Sequence, residues 1–342
     1  MRKLQITRPD DWHVHFRDGE ALLHTAPASA KHFSRALVMP NLKPALTTLA
    51  SLLAYRERII AAVGQNHQFT PYLTFYLNEQ VLADELLQAK KHDCILGAKL
   101  YPAGATTNSE QGARSIGALY PLLETMQDCG LVLQIHGEVT HGDIFEREAL
   151  FISEYLAPLV RDFPALRIVL EHISTRAAVD FVMQAPDTVA ATITPHHLRY
   201  NRNQLLAGGI KPHYYCLPIL KHERDQRAVQ QAAVSGNAKF FAGTDSAPHT
   251  VGSKESACGC AGIYSSPFAV AMYADVFASL DCLNKLDPFM GRFGADFYQL
   301  AQNKEQIELV EQPQIVPQTL PFGHKQVVPV AAGDTLPWCI NE

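Results

Sequence analysis

The residues with the most chemistry in this chain stand near its start, in Trp12-His13-Val14-His15-Phe16-Arg17. In a β-strand successive side chains point to opposite faces. His13, His15 and Arg17 are therefore expected on one face, with Trp12, Val14 and Phe16 on the other. Two imidazoles so spaced, in a stretch rich in aromatic and β-branched residues, suit paired metal ligands at a strand end. Further metal-competent groups follow in order: Lys99, His136, His172 and Asp245. The chain has 15 histidines, and any single one is more often structural, so the weight rests on the set and on its placement.

The elements that must position these groups are legible as eight short apolar runs, near residues 12–16, 36–39, 69–77, 95–100, 131–135, 167–170, 189–193 and 239–242. Segments with helical periodicity fill most intervals, at 46–63, 80–91, 115–128, 143–161, 175–183 and 223–233. Such alternation implies parallel strands joined by crossovers, and eight units are what an α/β fold of the (β/α)8 TIM-barrel type requires. An open doubly wound sheet is the alternative, but no G-x-G-x-x-G turn follows the first strand. Each candidate ligand ends its own strand: His13 and His15 the first, Lys99 the fourth, His136 the fifth, His172 the sixth and Asp245 the eighth. That rim is where barrel active sites are built. The long 201–220 segment between the last two strands is expected to shape the site. Past Asp245 come a helix near 271–283 and a Pro-rich tail at 312–337. We read residues 1–342 as a single unit, a barrel core of about 5–305 with a C-terminal extension of about 306–342 packed on it.

Composition narrows the class. The formal charge of −5 is interspersed, which argues against a nucleic-acid or membrane surface. The seven cysteines are irregularly spaced with no C-x-x-C pair, as in a reducing, cytoplasmic setting. Cys258-Gly259-Cys260 is spaced too closely for an ordinary thiolate metal site. Residues 1–5 carry positive charge without a following apolar segment, and no apolar run reaches the ~18 residues needed to cross a bilayer.

Lys99 is the odd member of the set, since Gly97-Ala98-Lys99-Leu100 gives it apolar neighbours. A buried ammonium beside two divalent cations is disfavoured by desolvation and by like-charge repulsion. The neutral amine can react instead with CO2, and the resulting carbamate has two oxygens able to bridge two metals. His13, His15 and Asp245 would complete one metal's shell, and His136 and His172 the other's. Imidazole and carboxylate ligands suit Zn²⁺. Two such ions about 3.5–4 Å apart can hold a bridging hydroxide and polarise a carbonyl. Asp245 is then placed as general acid/base, taking a proton from that hydroxide and passing it to a leaving nitrogen.

These residues resemble the ligand set of the amidohydrolase superfamily. Segments 11–18, 98–109, 243–249 and 258–269, with Met39-Pro40-Asn41, His136-Gly137-Glu138 and Leu170-Glu171-His172, more specifically resemble its dihydroorotase family of the short, single-function bacterial and fungal type. The resemblance implies reversible ring closure of N-carbamoyl-L-aspartate to L-dihydroorotate with release of water, a step of pyrimidine biosynthesis. It implies two Zn²⁺ per subunit, N6-carboxylysine at Lys99 and a homodimer. It also implies that Arg17, Asn41 and His249 hold the substrate's free carboxylate, for which an Arg fork is well suited. The backbone of Leu217 and the neighbourhood of Ala261 would meet the ring amide, His15 and His136 would border the substrate, and Thr106 and Thr107 would ride a mobile loop at 104–108.

Blander readings stand beside these. Arg17 could be ion-paired with Asp18 or Asp11, and Thr106-Thr107 could be an exposed polar turn. His196-His197 could support a loop, and His141, His213 and His222 are expected in solvent. Another binuclear cyclic-amide hydrolase, hydantoinase- or dihydropyrimidinase-like, needs no carboxylate clamp. A mononuclear deaminase would lack the bridging lysine, and a non-catalytic metal-binding barrel would be expected to have lost a ligand.

Overall fold

The computed structural model describes residues 2–65 and 67–341; Met1, Asn66 and Glu342, two of which bound the expected single unit, lie outside the described residues. An N-terminal strand β1 (Lys3–Thr7) precedes eight others: β2 (Asp10–Val14), β3 (Arg35–Val38), β4 (Thr70–Leu77), β5 (Ile95–Leu100), β6 (Val132–Ile135), β7 (Ile168–Leu170), β8 (Val189–Ile193) and β9 (Phe240–Ala242). The eight pair in that order, every neighbour parallel. The circle is completed by the Asp245 N–H donating to His13 O at 2.8 Å and the His15 N–H donating to Ser246 O at 3.0 Å. The expected α/β barrel is the fold observed.

Two buried clusters define its layers. Leu37, Met39, Val132, Val169, Ala190 and Phe241 come from strands all round the circle yet touch one another, so they fill the lumen. Their neighbours Ala36, Val38, Leu133, Ile168 and Ala191 join Leu52, Leu123 and Val182 of the surrounding helices. Both strand faces are therefore apolar, as a parallel sheet covered by helices demands.

The first strand departs from simple alternation. Trp12 belongs to the lumen cluster and Val14 to the outer one, although strict alternation puts them on one face. The register between β2 and β3 slips between Asp11 and Val14, where Asp11 Oδ1 accepts the N–H of His13 at 3.2 Å. A local irregularity of this kind re-aims side chains. Trp12 can then serve the floor of the lumen while His13 serves its mouth.

The floor is built by residues beyond the barrel strands. The helix found at Ala269–Ser279 is followed by Leu286–Gly291 and Phe293–Phe297. Tyr298 then stacks on Trp12, with ring centroids 4.7 Å apart and planes 16° from parallel. Gly294 makes this approach feasible, because a Cβ there would fall 2.0 Å from Trp12 Nε1. Gly294→Ala is expected to destabilise the fold by about 1–3 kcal/mol through overpacking. Denaturant melting checks this; an unchanged midpoint would show that the floor can yield.

Several helices differ from expectation. Leu22–Ala30 is an α-helix despite Pro27 inside it, and residues 147–162 form Arg147–Phe151, a π turn Ile152–Leu156, and Ala157–Asp162. The C-terminal strand β10 (Gln306–Val310) lies antiparallel between β1 and Cys339–Ile340. Among the described residues no helix is long and apolar enough to cross a membrane.

Candidate active site

All six expected ligands sit at the C-terminal ends of their strands: His13 in β2, His15 just past it, Lys99 in β5, and His136, His172 and Asp245 just beyond β6, β7 and β9. His13 Nε2 and His15 Nε2 are 3.2 Å apart, and Asp245 Oδ1 lies 3.3 Å and 3.1 Å from them. The His172 ring centroid is 5.1 Å from that of His13 and 4.9 Å from that of His136. Arg17, His172 and Asp245 all have left-handed backbones, with φ of 63°, 43° and 43°. Such conformations cost of order 1–3 kcal/mol each and persist where the surroundings over-determine them. At Asp245 the determinant is visible: Asp11 accepts both the N–H of Thr244, at 2.8 Å, and its hydroxyl, at 2.6 Å.

The donor chemistry fits cations. Glu171 Oε2 lies 2.8 Å from His13 Nδ1, and Asn41 Oδ1 lies 2.7 Å from His15 Nδ1. Those oxygens accept, so each Nδ1 carries its ring proton. Burial keeps the His15 ring neutral with a lone pair at Nε2. At His13 burial is outweighed by Glu171 and Asp245, which raise the pKa, so a cation would displace a proton from its Nε2. Two ring nitrogens and a carboxylate oxygen this close need a positive charge among them, a proton or a metal ion, and the three residues form a group able to hold a metal ion. His136 Nε2 is 3.0 Å from Glu138 Oε2, leaving its Nδ1 available, and His172 Nδ1 is buried with no partner. Lys99 Nζ is likewise buried with no hydrogen-bond partner. Burial lowers its pKa to about 8 against the opposing pull of Glu171 and Asp245, which makes the neutral amine accessible.

The sequence reading gave Glu171 and Glu138 no role, although both stand within two residues of a ligand. Glu171 also accepts the Thr192 hydroxyl at 2.5 Å, which fixes the carboxylate that fixes His13. Glu171→Gln is expected to weaken metal binding roughly 10–100-fold, the usual scale for a partner that orients a ligand. Competition with a chelator measures this; unaltered affinity would mean the His13 ring is oriented by packing alone.

The opposite wall offers a place for an anion. Arg17 donates from Nε to Pro248 O at 3.1 Å, and its Nη2 lies 3.0 Å from His249 Nε2, while Nη1 is buried with no partner. Burial, reinforced by Arg17, holds the His249 pKa well below the ordinary value, so the ring is neutral and accepts from Arg17. The ion-pair alternative for Arg17 fails: Asp18 pairs with Arg58 at 2.7 Å, and Asp11 is engaged by Thr244. Arg17, Asn41, Thr106, Thr107, Leu217 and Ala261 line one pocket with His13, His15, His136, His172 and Asp245. His249 is reached through Arg17.

The 104–108 segment is latched across this mouth. Thr107 donates its hydroxyl to Ala261 O at 3.0 Å, Asn41 Nδ2 donates to Thr107 O at 3.2 Å, and Asn108 Nδ2 donates to Asn41 O at 3.2 Å. Asn41 thus holds both a ligand ring and the loop. Thr107→Val is expected to cut turnover about 2–10-fold, the worth of one hydrogen bond of roughly 0.5–1.5 kcal/mol. Steady-state rates test it; an unchanged kcat would return the threonines to a polar turn.

Among the remaining histidines, His197 supports a loop, its Nε2 lying 3.0 Å from Pro218 O, and His141 is exposed. One expectation needs correction: His213 is half-buried and pairs with Glu255 at 2.9 Å. His222 is exposed as expected, and it also caps the helix Glu223–Val234 by accepting from the Arg224 N–H.

A closed parallel barrel with these donors on its C-terminal rim defines a class: the chain matches the amidohydrolase family over residues 10–308. A dihydroorotase of Coxiella burnetii is 55% identical over 343 aligned residues, spanning 100% of this chain and 99% of that one. A solved dihydroorotase from Saccharomyces cerevisiae, in complex with 5-fluoroorotic acid, superposes with a TM-score of 0.91 at 33% identity, covering 100% of this chain and 99% of its own. One from Campylobacter jejuni gives 0.91 at 35% identity, covering 99% and 98%. The chain belongs to the dihydroorotase family of amidohydrolases and is an enzyme.

Proposed function

We propose that this enzyme interconverts N-carbamoyl-L-aspartate and L-dihydroorotate, releasing water on ring closure, in cytoplasmic de novo pyrimidine (UMP) biosynthesis. The observation that carries the reading is one pocket with metal donors on one wall and a guanidinium nitrogen lacking a partner on the other. Such a pocket suits a substrate with a hydrolysable amide and a free carboxylate.

Two Zn²⁺ would be held by His13, His15 and Asp245 on one side and His136 and His172 on the other, with carboxylated Lys99 between. When bound, they would polarise the amide carbonyl and lower the pKa of water. The chain's own residues do the rest. By adding to CO2 and losing one proton, the orphaned Lys99 amine would become an anionic oxygen donor for those ions. Asp245 holds the proton taken from water and delivers it to the ring nitrogen as the amide bond breaks; in cyclisation the transfer runs in reverse. Arg17, with His249 and Asn41, orients the free carboxylate. The backbone of Leu217 and Ala261 meets the ring amide, and Thr106 and Thr107 close the loop. Residues 1–342 act as one hydrolase unit, paired as a homodimer, with no nucleic-acid or membrane partner.

A hydantoinase-like activity would leave Arg17 Nη1 without a counter-charge. A purely metal-binding barrel would need the donor set but not the unpartnered Arg17 Nη1 beside it. The deciding experiment is hydrolysis of dihydroorotate, hydantoin and dihydrouracil by purified protein with its metal content counted. Turnover of dihydroorotate with at least two metals per chain is expected. Faster hydrolysis of either neutral ring, or none of the three, would overturn the reading.

A further inference from the structure

A second group of ligand-type side chains lies outside that donor set. After β8 the chain turns at Thr194 into the short helix Pro195–Arg199, which carries His196 and His197. The stretch preceding Glu223–Val234 brings Cys216 against them. All three are buried, and one ligand atom of each lies within 4.8 Å of the others.

Their bonding is uneven. His197 Nδ1 is 2.8 Å from Thr194 Oγ1, its Nε2 is 3.0 Å from Pro218 O, and the Cys216 thiol points to the same Pro218 O at 3.2 Å. His196 has no partner at either ring nitrogen. A neutral imidazole carries one N–H and one lone pair, and buried polar groups are nearly always satisfied. Burial, then the neighbouring His197, keeps the His196 ring neutral, so a lone pair is available in a dry place. Burial, then Asp245 and Glu138, push the Cys216 thiol pKa up against the opposing charges of Lys254 and Lys221, so the sulfur keeps its proton until a cation displaces it.

We propose that His196, His197 and Cys216 form a third metal site, for a divalent cation of the zinc class. Two imidazoles and one sulfur are the donors that such an ion selects and that magnesium or calcium does not. As the sulfur–metal bond forms, the Cys216 S–H bond breaks and its proton leaves to solvent. His197 exchanges one of its two contacts for the cation, and His196 gives up nothing. Three protein donors leave a fourth position for water. The ion ties Cys216 to the end of β8 and so anchors the stretch leading into Leu217. Another anchor of that stretch is the Lys254 ammonium, which donates to Tyr215 O at 2.7 Å, Cys260 O at 2.8 Å and Gly262 O at 2.7 Å.

The test needs no substrate, so its outcome is independent of the assigned reaction. Full-length protein is freed of metal and titrated with Co²⁺ while its near-ultraviolet spectrum is followed. Thiolate bound to Co²⁺ gives an intense charge-transfer band, whereas the rim donors His13, His15, Lys99, His136, His172 and Asp245 contain no sulfur. The wild-type protein is expected to take a third equivalent and develop that band. Cys216→Ser and His196→Gln should lose both while still taking up two equivalents, which shows that they fold. The Cys258→Ser/Cys260→Ser double variant should keep the band. Binding that stops at two equivalents with no band, or a band that survives Cys216→Ser, overturns the site. Should the variants not fold, X-ray absorption of the zinc-loaded wild-type protein decides: one sulfur at about 2.3 Å for every three zincs supports the site, and no sulfur refutes it.

Discussion

Lys99→Ala is expected to lower kcat/KM by roughly a thousandfold or more, about 4 kcal/mol of lost transition-state stabilisation. Metal content should fall by one per chain relative to the wild-type protein. The argument begins with burial: Lys99 Nζ lies in the dry barrel with no hydrogen-bond partner. In that state the amine meets the Tyr101 ring, 5.3 Å from its centroid, and the field of Glu171 and Asp245, which together do not offset its burial, so the amine is poised to become something else. Alanine leaves His136 and His172 with too few donors to retain an ion, because two imidazoles alone do not complete a shell. Metal analysis beside the hydrolysis assay checks both halves. Partial rescue by a small carboxylic acid that enters the vacated space would strengthen the case. An unchanged metal content with an ordinary rate would end the carbamate proposal.

Arg17→Ala is expected to raise KM roughly a hundredfold or more while changing kcat less. Hydrogen bonds to a charged partner contribute about 1.5–3 kcal/mol each, and a carboxylate that takes no part in the chemistry is held alike in ground and transition states. Arg17 also fastens Pro248 O and neighbours His249, so a modest fall in kcat should accompany the larger effect. Arg17→Lys should fall between, keeping the charge and losing the planar fork. Steady-state kinetics in both directions, with a competitive dicarboxylate inhibitor as a binding probe, measures it. An unaltered KM would remove Arg17 from the carboxylate site.

Much of this was readable because strand ends and barrel rims are rigidly related. Once eight runs are recognised as strands, the residues that close them must meet, and His13, His15, Lys99, His136, His172 and Asp245 obey that rule. The slip between Asp11 and Val14 was not readable, since it depends on where Asp11 finds the N–H groups of His13 and Thr244. Nor was the helix Leu22–Ala30, because Pro27 stands where a proline ordinarily ends a helix. Phe293–Phe297 is too short to display a period, so the floor beneath Trp12 escaped notice. The closeness of His196 and His197 to Cys216 is a product of loop path alone.

The stacking of Trp12 on Tyr298 and the pairing of β1 with β10 also bear on how the molecule is made. A ribosome delivers the amino end long before residues 293–310, so during synthesis Trp12 and the edge of β1 must wait beside the exit tunnel without their partners. Nascent chains stalled before residue 293 should therefore be open to protease and bound by holdase chaperones, and should become resistant only when the closing stretch has emerged.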